Sequence, residues 1–157
     1  VSPDVPAPAH VDIADESGMA CDTQALAALV AHLFADLRLH PDCALGITLV
    51  DEDRMTTLHE DWMHEPGPTD VLSFPIDEVR APEPGEDPQP GILGDIVLCP
   101  AFARAQAAAA GRTLDEELQF LTTHGLLHLL GHDHATDEDY RAMFALQDDL
   151  LGPWWSR

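Results

Sequence analysis

His124-Gly125-Leu126-Leu127-His128-Leu129-Leu130-Gly131-His132-Asp133-His134 is the stretch around which the chain is organised. His124 and His128 are four apart, so on a helix they project from one face, one turn above the other. Gly131 falls where a helix ends in a left-handed residue, which lets the chain double back and bring His134 toward the same point. Three imidazoles converging in this way form a facial tripod that leaves a coordination position open for water or substrate. Structural zinc sites usually close all four positions, mostly with cysteine, so the pattern points to a catalytic centre.

Upstream of the tripod, Thr113 with Glu116 three residues on reads as a capping box that starts the histidine-bearing helix. Leu118, Leu121, Leu126, Leu127, Leu129 and Leu130 make that helix apolar nearly all round, which predicts burial in the middle of the fold. A buried imidazole needs a partner for both ring nitrogens, and a stacked pair with a third returning after a glycine is hard to satisfy without a metal. Neutral imidazoles suit zinc, nickel, copper or iron, and an open three-histidine site in a cytoplasmic protein points to zinc. Bound zinc lowers the pKa of its water to about 7 and polarises a carbonyl or phosphoryl oxygen. The spacing resembles the zincin-type protease pattern HExxHxxGxxH, but Gly125 stands where a protease carries its glutamate base. Asp133 is the nearest acidic substitute: a general base, a partner orienting an imidazole, or a turn residue, the last two together ahead of the first.

Residues 1–10 are proline-rich without periodicity and read as a flexible arm; 11–157 read as one domain. Val11 and Ile13 alternate with polar neighbours into a strand ending at Glu16-Ser17-Gly18. From a cap at Asp22 or Thr23, Leu26, Leu29, Val30, Leu33 and Leu37 recur at helical spacing up to a stop at His40-Pro41. His32 and His40 on it are read as exposed or capping. Leu45, Ile47 and Leu49 predict a strand closed by an acidic turn at Asp51-Glu52-Asp53, and Met55, Leu58 and Trp62 one face of a second helix. After a loop over Glu65 to Asp70, Val71 to Pro75 reads as a short strand at an edge or running out at its proline. Ile76 to Gly91 is a mobile acidic loop, Gly94 to Cys99 a strand, and Pro100 opens a helix broken by Gly111-Arg112. A last helix presents Tyr140, Met143, Phe144, Gln147, Leu150 and Leu151 before Gly152-Pro153. The order predicts an α+β domain, a small mixed sheet packed by helices, with the metal site on a central helix and the loop after it.

The chain has 157 residues, 45% of them hydrophobic: enough for one core and hardly for two. No apolar run approaches the roughly 20 residues that span a bilayer, and Val1-Ser2-Pro3-Asp4 lacks the features of a signal peptide, so a cytoplasmic setting is expected. Cys21, Cys43 and Cys99 form no CxxC pair and read as reduced thiols. The formal charge of −22, with seven arginines and no lysine, argues against tight non-specific binding to phosphate backbones and favours basic partners or simple solubility.

The eleven-residue stretch closely resembles the HGxLHLxGYDH signature of the YbeY family of rRNA-maturation endoribonucleases, with His132 where tyrosine is usual. Pro68-Thr69-Asp70-Val71-Leu72-Ser73-Phe74-Pro75 is similar to the family's PTDVLSFP segment, and Leu93-Gly94-Asp95-Ile96-Val97 to its LGDIV strand. The resemblance covers about Val11 to Gly152. It implies a zincin-like α+β fold, one zinc on His124, His128 and His134, and a single-strand-specific endoribonuclease. The implied role is maturation of the 3′ end of small-subunit (16S) rRNA and ribosome quality control. Single-stranded rRNA and ribosomal particles or basic ribosomal proteins are the partners this implies. Many members carry an arginine shortly before the PTDVLSFP segment; the corresponding position here is Met63, with Arg54, His59 and His64 the nearest cations.

Three readings follow. The first is a zinc-dependent hydrolase of RNA phosphodiesters. The second is a metallopeptidase, disfavoured by Gly125. The third is a non-catalytic ribosome-assembly factor with a structural metal, favoured by the acidic surface and by Met63.

Overall fold

Period-two alternation of apolar residues builds one sheet from β1 (Val11–Asp15), β2 (Ala44–Leu49), β3 (Val71–Pro75) and β4 (Ile92–Leu98), in the order β1-β2-β4-β3. The first, second and fourth strands are parallel, and β3 runs antiparallel to β4 at the edge. Pro75, without an N–H, closes that edge strand, as its position in the sequence predicts. The computed structural model describes residues 8–157. Of the arm expected over 1–10, residues 1–7 lie outside this range. Residues 8–10 form a turn in which the Pro8 carbonyl accepts from Val11 and the His10 carbonyl from Leu45.

Five helices complete the described chain: α1 (Thr23–Asp36), α2 (Glu52–Met63), α3 (Pro100–Ala110), α4 (Leu114–Leu129) and α5 (Asp137–Trp155). Register pairs Ile47 with Ile96 and Leu49 with Leu98, so these side chains share one sheet face. They join Leu29 and Leu33 of α1, Leu126 and Leu127 of α4, and Met143, Leu150 and Trp154 of α5 in the main core. The opposite face carries a smaller cluster, Leu72 and Val97 with Val50, Met55 and Cys99, packed under α2. This is the zincin-like α+β arrangement expected, with α4 in its centre. No helix of the described chain is long and apolar enough to cross a membrane.

Burial of α4 requires its polar groups to be satisfied inside the protein. Thr113 and Glu116 form the expected capping box. The Thr122 and Thr123 hydroxyls donate to the carbonyls one turn back, at 2.7 and 2.9 Å. Buried Glu117 pairs with Arg112 at 2.9 Å, and Trp155 Nε1 donates to Gln119. Gly131, with φ of 93°, turns the chain out of α4.

Several local expectations are corrected. The first helix stops at Asp36, not at His40-Pro41. Arg38 takes the left-handed conformation, Leu39 N–H reaches the Phe34 carbonyl and Arg38 N–H that of Ala35, a Schellman end made without glycine. Asp51-Glu52-Asp53 is not a turn after β2 but the start of α2, with Asp51 accepting from the Arg54 N–H and two acids in the first turn, where the helix dipole favours them. The last helix passes through Pro153 to Trp155: the missing N–H costs one bond in the final turn, and Trp154, 1% exposed, anchors that turn in the core. His32 is buried and not exposed, because helical spacing puts it on the same arc as Leu29 and Leu33. Its Nε2 lies 2.9 Å from the Leu150 carbonyl, and its ring stacks on Trp154. Trp62 and Tyr140 share the helix faces read from the spacing but are 64% and 51% exposed.

Gly94 has φ of 137°, and a Cβ there would lie 2.1 Å from the Phe74 carbonyl oxygen. Gly94→Ala is therefore expected to cost about 3 kcal/mol, combining backbone strain with overpacking, read from the urea midpoint at unchanged m-value.

Candidate metal centre

The three histidines picked out by spacing come together. His124 and His128 stand one turn apart on α4, half-buried, and His134 reaches them from the exposed turn after Gly131. One ring nitrogen from each lies within 4.8 Å of the other two. The rings of His124 and His128 meet edge-on at 4.5 Å between centroids, and His134 is 5.1 Å from His128.

Hydrogen bonds set which nitrogen faces inward. His128 Nδ1 is 3.0 Å from the His132 backbone carbonyl, an acceptor only, so the proton sits on Nδ1. His124 Nδ1 is 2.9 Å from Gln147 Oε1, which fixes the same tautomer. The two Nε2 lone pairs then face each other at 3.0 Å. Two acceptors so close repel unless they share a cation, and the donor set of three neutral imidazoles fits a borderline metal such as zinc. Burial, followed by the neighbouring His124 and His134, pushes the pKa of His128 down from its ordinary value, which keeps it in the neutral, ligating form.

The histidines form one wall of a cavity of about 550 Å³. Phe120, Leu121 and Phe144 make an apolar side, and Asp70, Val71 and Ser73 of the edge-strand segment face it. Met63 also lines this cavity. Gly125 points elsewhere: a Cβ at this position would meet Ser73 Oγ and Ile96 Cγ2 at 3.1 Å. The residue that replaces the protease glutamate is therefore a packing residue, and a larger side chain there would have to displace Ser73 and Ile96.

Asp133 is exposed, and its Oδ1 accepts from the His134 N–H at 2.7 Å; it braces the turn that carries the third imidazole. Two participants escaped the sequence reading. Gln147 appeared as one more member of an apolar helix face, yet it is fully buried and holds His124. A polar residue in the middle of an apolar stripe was the available signal. Asp70 lies half-buried in the cavity wall, with Oδ1 accepting from the Val71 N–H and the Thr69 hydroxyl. Nothing in its local spacing ties it to histidines more than fifty residues away.

Comparison with known proteins gives a consistent set of relatives. The family model described as Endoribonuclease YbeY matches residues 12–154. Relatives named Endoribonuclease YbeY include one from Thermobifida fusca, 51% identical over 144 residues, covering 92% of this chain and 93% of that protein. Another, from Cutibacterium acnes, is 52% identical with the same coverage. Among solved structures, the solution structure of TM1509 from Thermotoga maritima is similar, with a TM-score of 0.61 and 26% identity over 93% of this chain and 92% of that one.

Two outcomes follow from the geometry. Gln147→Leu, which keeps the volume and removes the acceptor, is expected to weaken the binding of a divalent metal, probed with added zinc, by about 10- to 100-fold in a competition titration with a chelator. The lowered pKa of His128 means that, below about pH 6.5, the unfolded chain takes up a proton here that the metal-free native state refuses. This position should therefore subtract stability as pH falls through that value, until the folded group itself titrates. The difference in urea midpoint between metal-free wild type and His128→Gln, followed from about pH 7.5 to pH 5.5, should shift against the wild type.

Proposed function

This chain belongs to the YbeY endoribonuclease family, and on that premise we propose that it is a metal-dependent hydrolase of single-stranded RNA. Its substrate is the 3′ end of small-subunit (16S) rRNA, with a part in ribosome quality control, in the cytoplasm. His124, His128 and His134 hold one zinc ion. The observation that carries this reading is the pair of Nε2 atoms facing each other at 3.0 Å with both Nδ1 atoms already engaged. Such an arrangement prepares the imidazoles for a cation.

When bound, the ion supplies a Lewis acid that polarises a phosphodiester oxygen and makes water more acidic. The chain's own groups do the rest. Gln147 and the His132 carbonyl hold the helix imidazoles in the ligating tautomer. Phe120 and Phe144 make one side of the cavity apolar, which lowers the local dielectric and strengthens the electrostatics within it. Asp70 is the carboxylate of the cavity wall, and we assign it the proton of the attacking water; Asp133 serves the turn. The acidic surface supports recruitment through ribosomal particles and basic ribosomal proteins, since by itself it repels free RNA.

Zinc-loaded wild type is expected to cut a single-stranded rRNA fragment, and His128→Ala to lose both zinc and cleavage. Asp70→Asn should keep its zinc while kcat falls about 100-fold or more. A wild type with stoichiometric zinc that leaves RNA intact yet associates with ribosomal particles would replace the enzyme with a non-catalytic assembly factor. Peptide cleavage abolished by His128→Ala would favour a metallopeptidase instead.

A further inference from the structure

We propose that the open sheet face beside α2 is a nucleobase-stacking subsite for single-stranded RNA, with Trp62 as its platform; this rests on the nuclease reading of the adjoining cavity. The histidine cavity has a neighbour at the edge strand. Met63, Ser73 and Pro75 line both it and a second groove of about 750 Å³, so the two adjoin at β3. The second groove lies over the sheet face that α2 covers only in part, where Thr48, Phe74, Asp95 and Val97 are the strand residues.

Trp62 is the most exposed of the large apolar side chains, at 64%, and it is not loose. Its indole meets the Phe74 ring edge-on at 5.9 Å between centroids. Phe74 is held in turn by the small cluster under α2. An aromatic ring packed against Phe74 yet 64% exposed, beside the histidine cavity, offers surface on which an unpaired base can stack. A paired base has both its faces occupied by its neighbours, so the same contact favours single strands over duplex.

Charge narrows the occupant further. With 29 acidic residues against seven arginines, the chain cannot draw much affinity from phosphate contacts, and Glu16 and Asp95 in the groove oppose a backbone laid over it. Stacking is indifferent to this field. Arg54 is the cation of the groove, and among the described residues its guanidinium has no ion pair or hydrogen bond. It is therefore free for one phosphate at the groove's margin, and the bases lie toward the sheet.

The test is equilibrium binding of a short, phosphorothioate-linked single-stranded RNA to the zinc-loaded full chain, followed by fluorescence anisotropy at low salt. Trp62→Ala should bind about 10-fold more weakly or worse, and Trp62→Phe within about 3-fold of wild type. One abasic nucleotide at the stacked position should reproduce the loss in wild type and add nothing in Trp62→Ala. The slope of log affinity against log salt should be shallow, near −0.7, and flatten in Arg54→Ala. Unchanged binding by Trp62→Ala at equal thermal stability overturns the subsite, as does a loss that Trp62→Phe fails to restore and the abasic RNA fails to reproduce. If the subsite fails while wild type still cuts RNA, the nuclease reading stands. Stacking without cleavage removes the nuclease reading alone, and a zinc-loaded wild type that neither binds nor cuts removes both.

Discussion

The close approach of α4 to the sheet at Gly125 is the constraint on which the rest of the molecule depends. With no side chain at this position, Ser73 and Ile96 sit where a Cβ would intrude, and the Ser73 hydroxyl donates to the Gly125 carbonyl at 3.3 Å. A helix pressed this near the edge strand turns its neighbouring residues, His124 and His128, toward the cavity that β3 borders. Burial of the helix follows from the same contact, and burial obliges the threonines, Glu117 and Gln119 to find partners inside the protein.

Electrostatics divides the molecule into two regimes. The exterior is strongly acidic, whereas inside the site burial, followed by the neighbouring His124 and His134, lowers the pKa of His128. A bound cation would be the main positive charge in its cavity, and the surrounding carboxylates would favour its retention. The same surface discourages indiscriminate capture of nucleic acid, so selectivity must come from contacts that charge does not govern.

Much of this was readable in the residues, and for physical reasons. The strands announced themselves by alternation, α4 by its capping box and leucines, and the tripod by i, i+4 spacing followed by a glycine with positive φ. These are local signals, written within a few residues. What escaped was non-local or unmarked. The Schellman end at Arg38 lacks the glycine that would advertise it, and Pro153 is tolerated only because Trp154 is anchored by distant residues. His32 looked like a surface histidine because its partners, Leu150 and Trp154, come from the other end of the chain. Gln147 and Asp70 belong to the site through tertiary packing alone, and Trp62 and Tyr140, which share a helical phase with apolar residues, are left exposed.

The unequal seating of the three imidazoles carries one more implication. Two are borne by a buried helix and braced through Nδ1, and the third hangs on an exposed turn that Gly131 enters with a positive φ and Asp133 braces. Were an ion held here, two of its ligands would be placed by the helix and the third by the turn, so substitutions at residues 131–133 would move the outer ligand while leaving the inner pair in position.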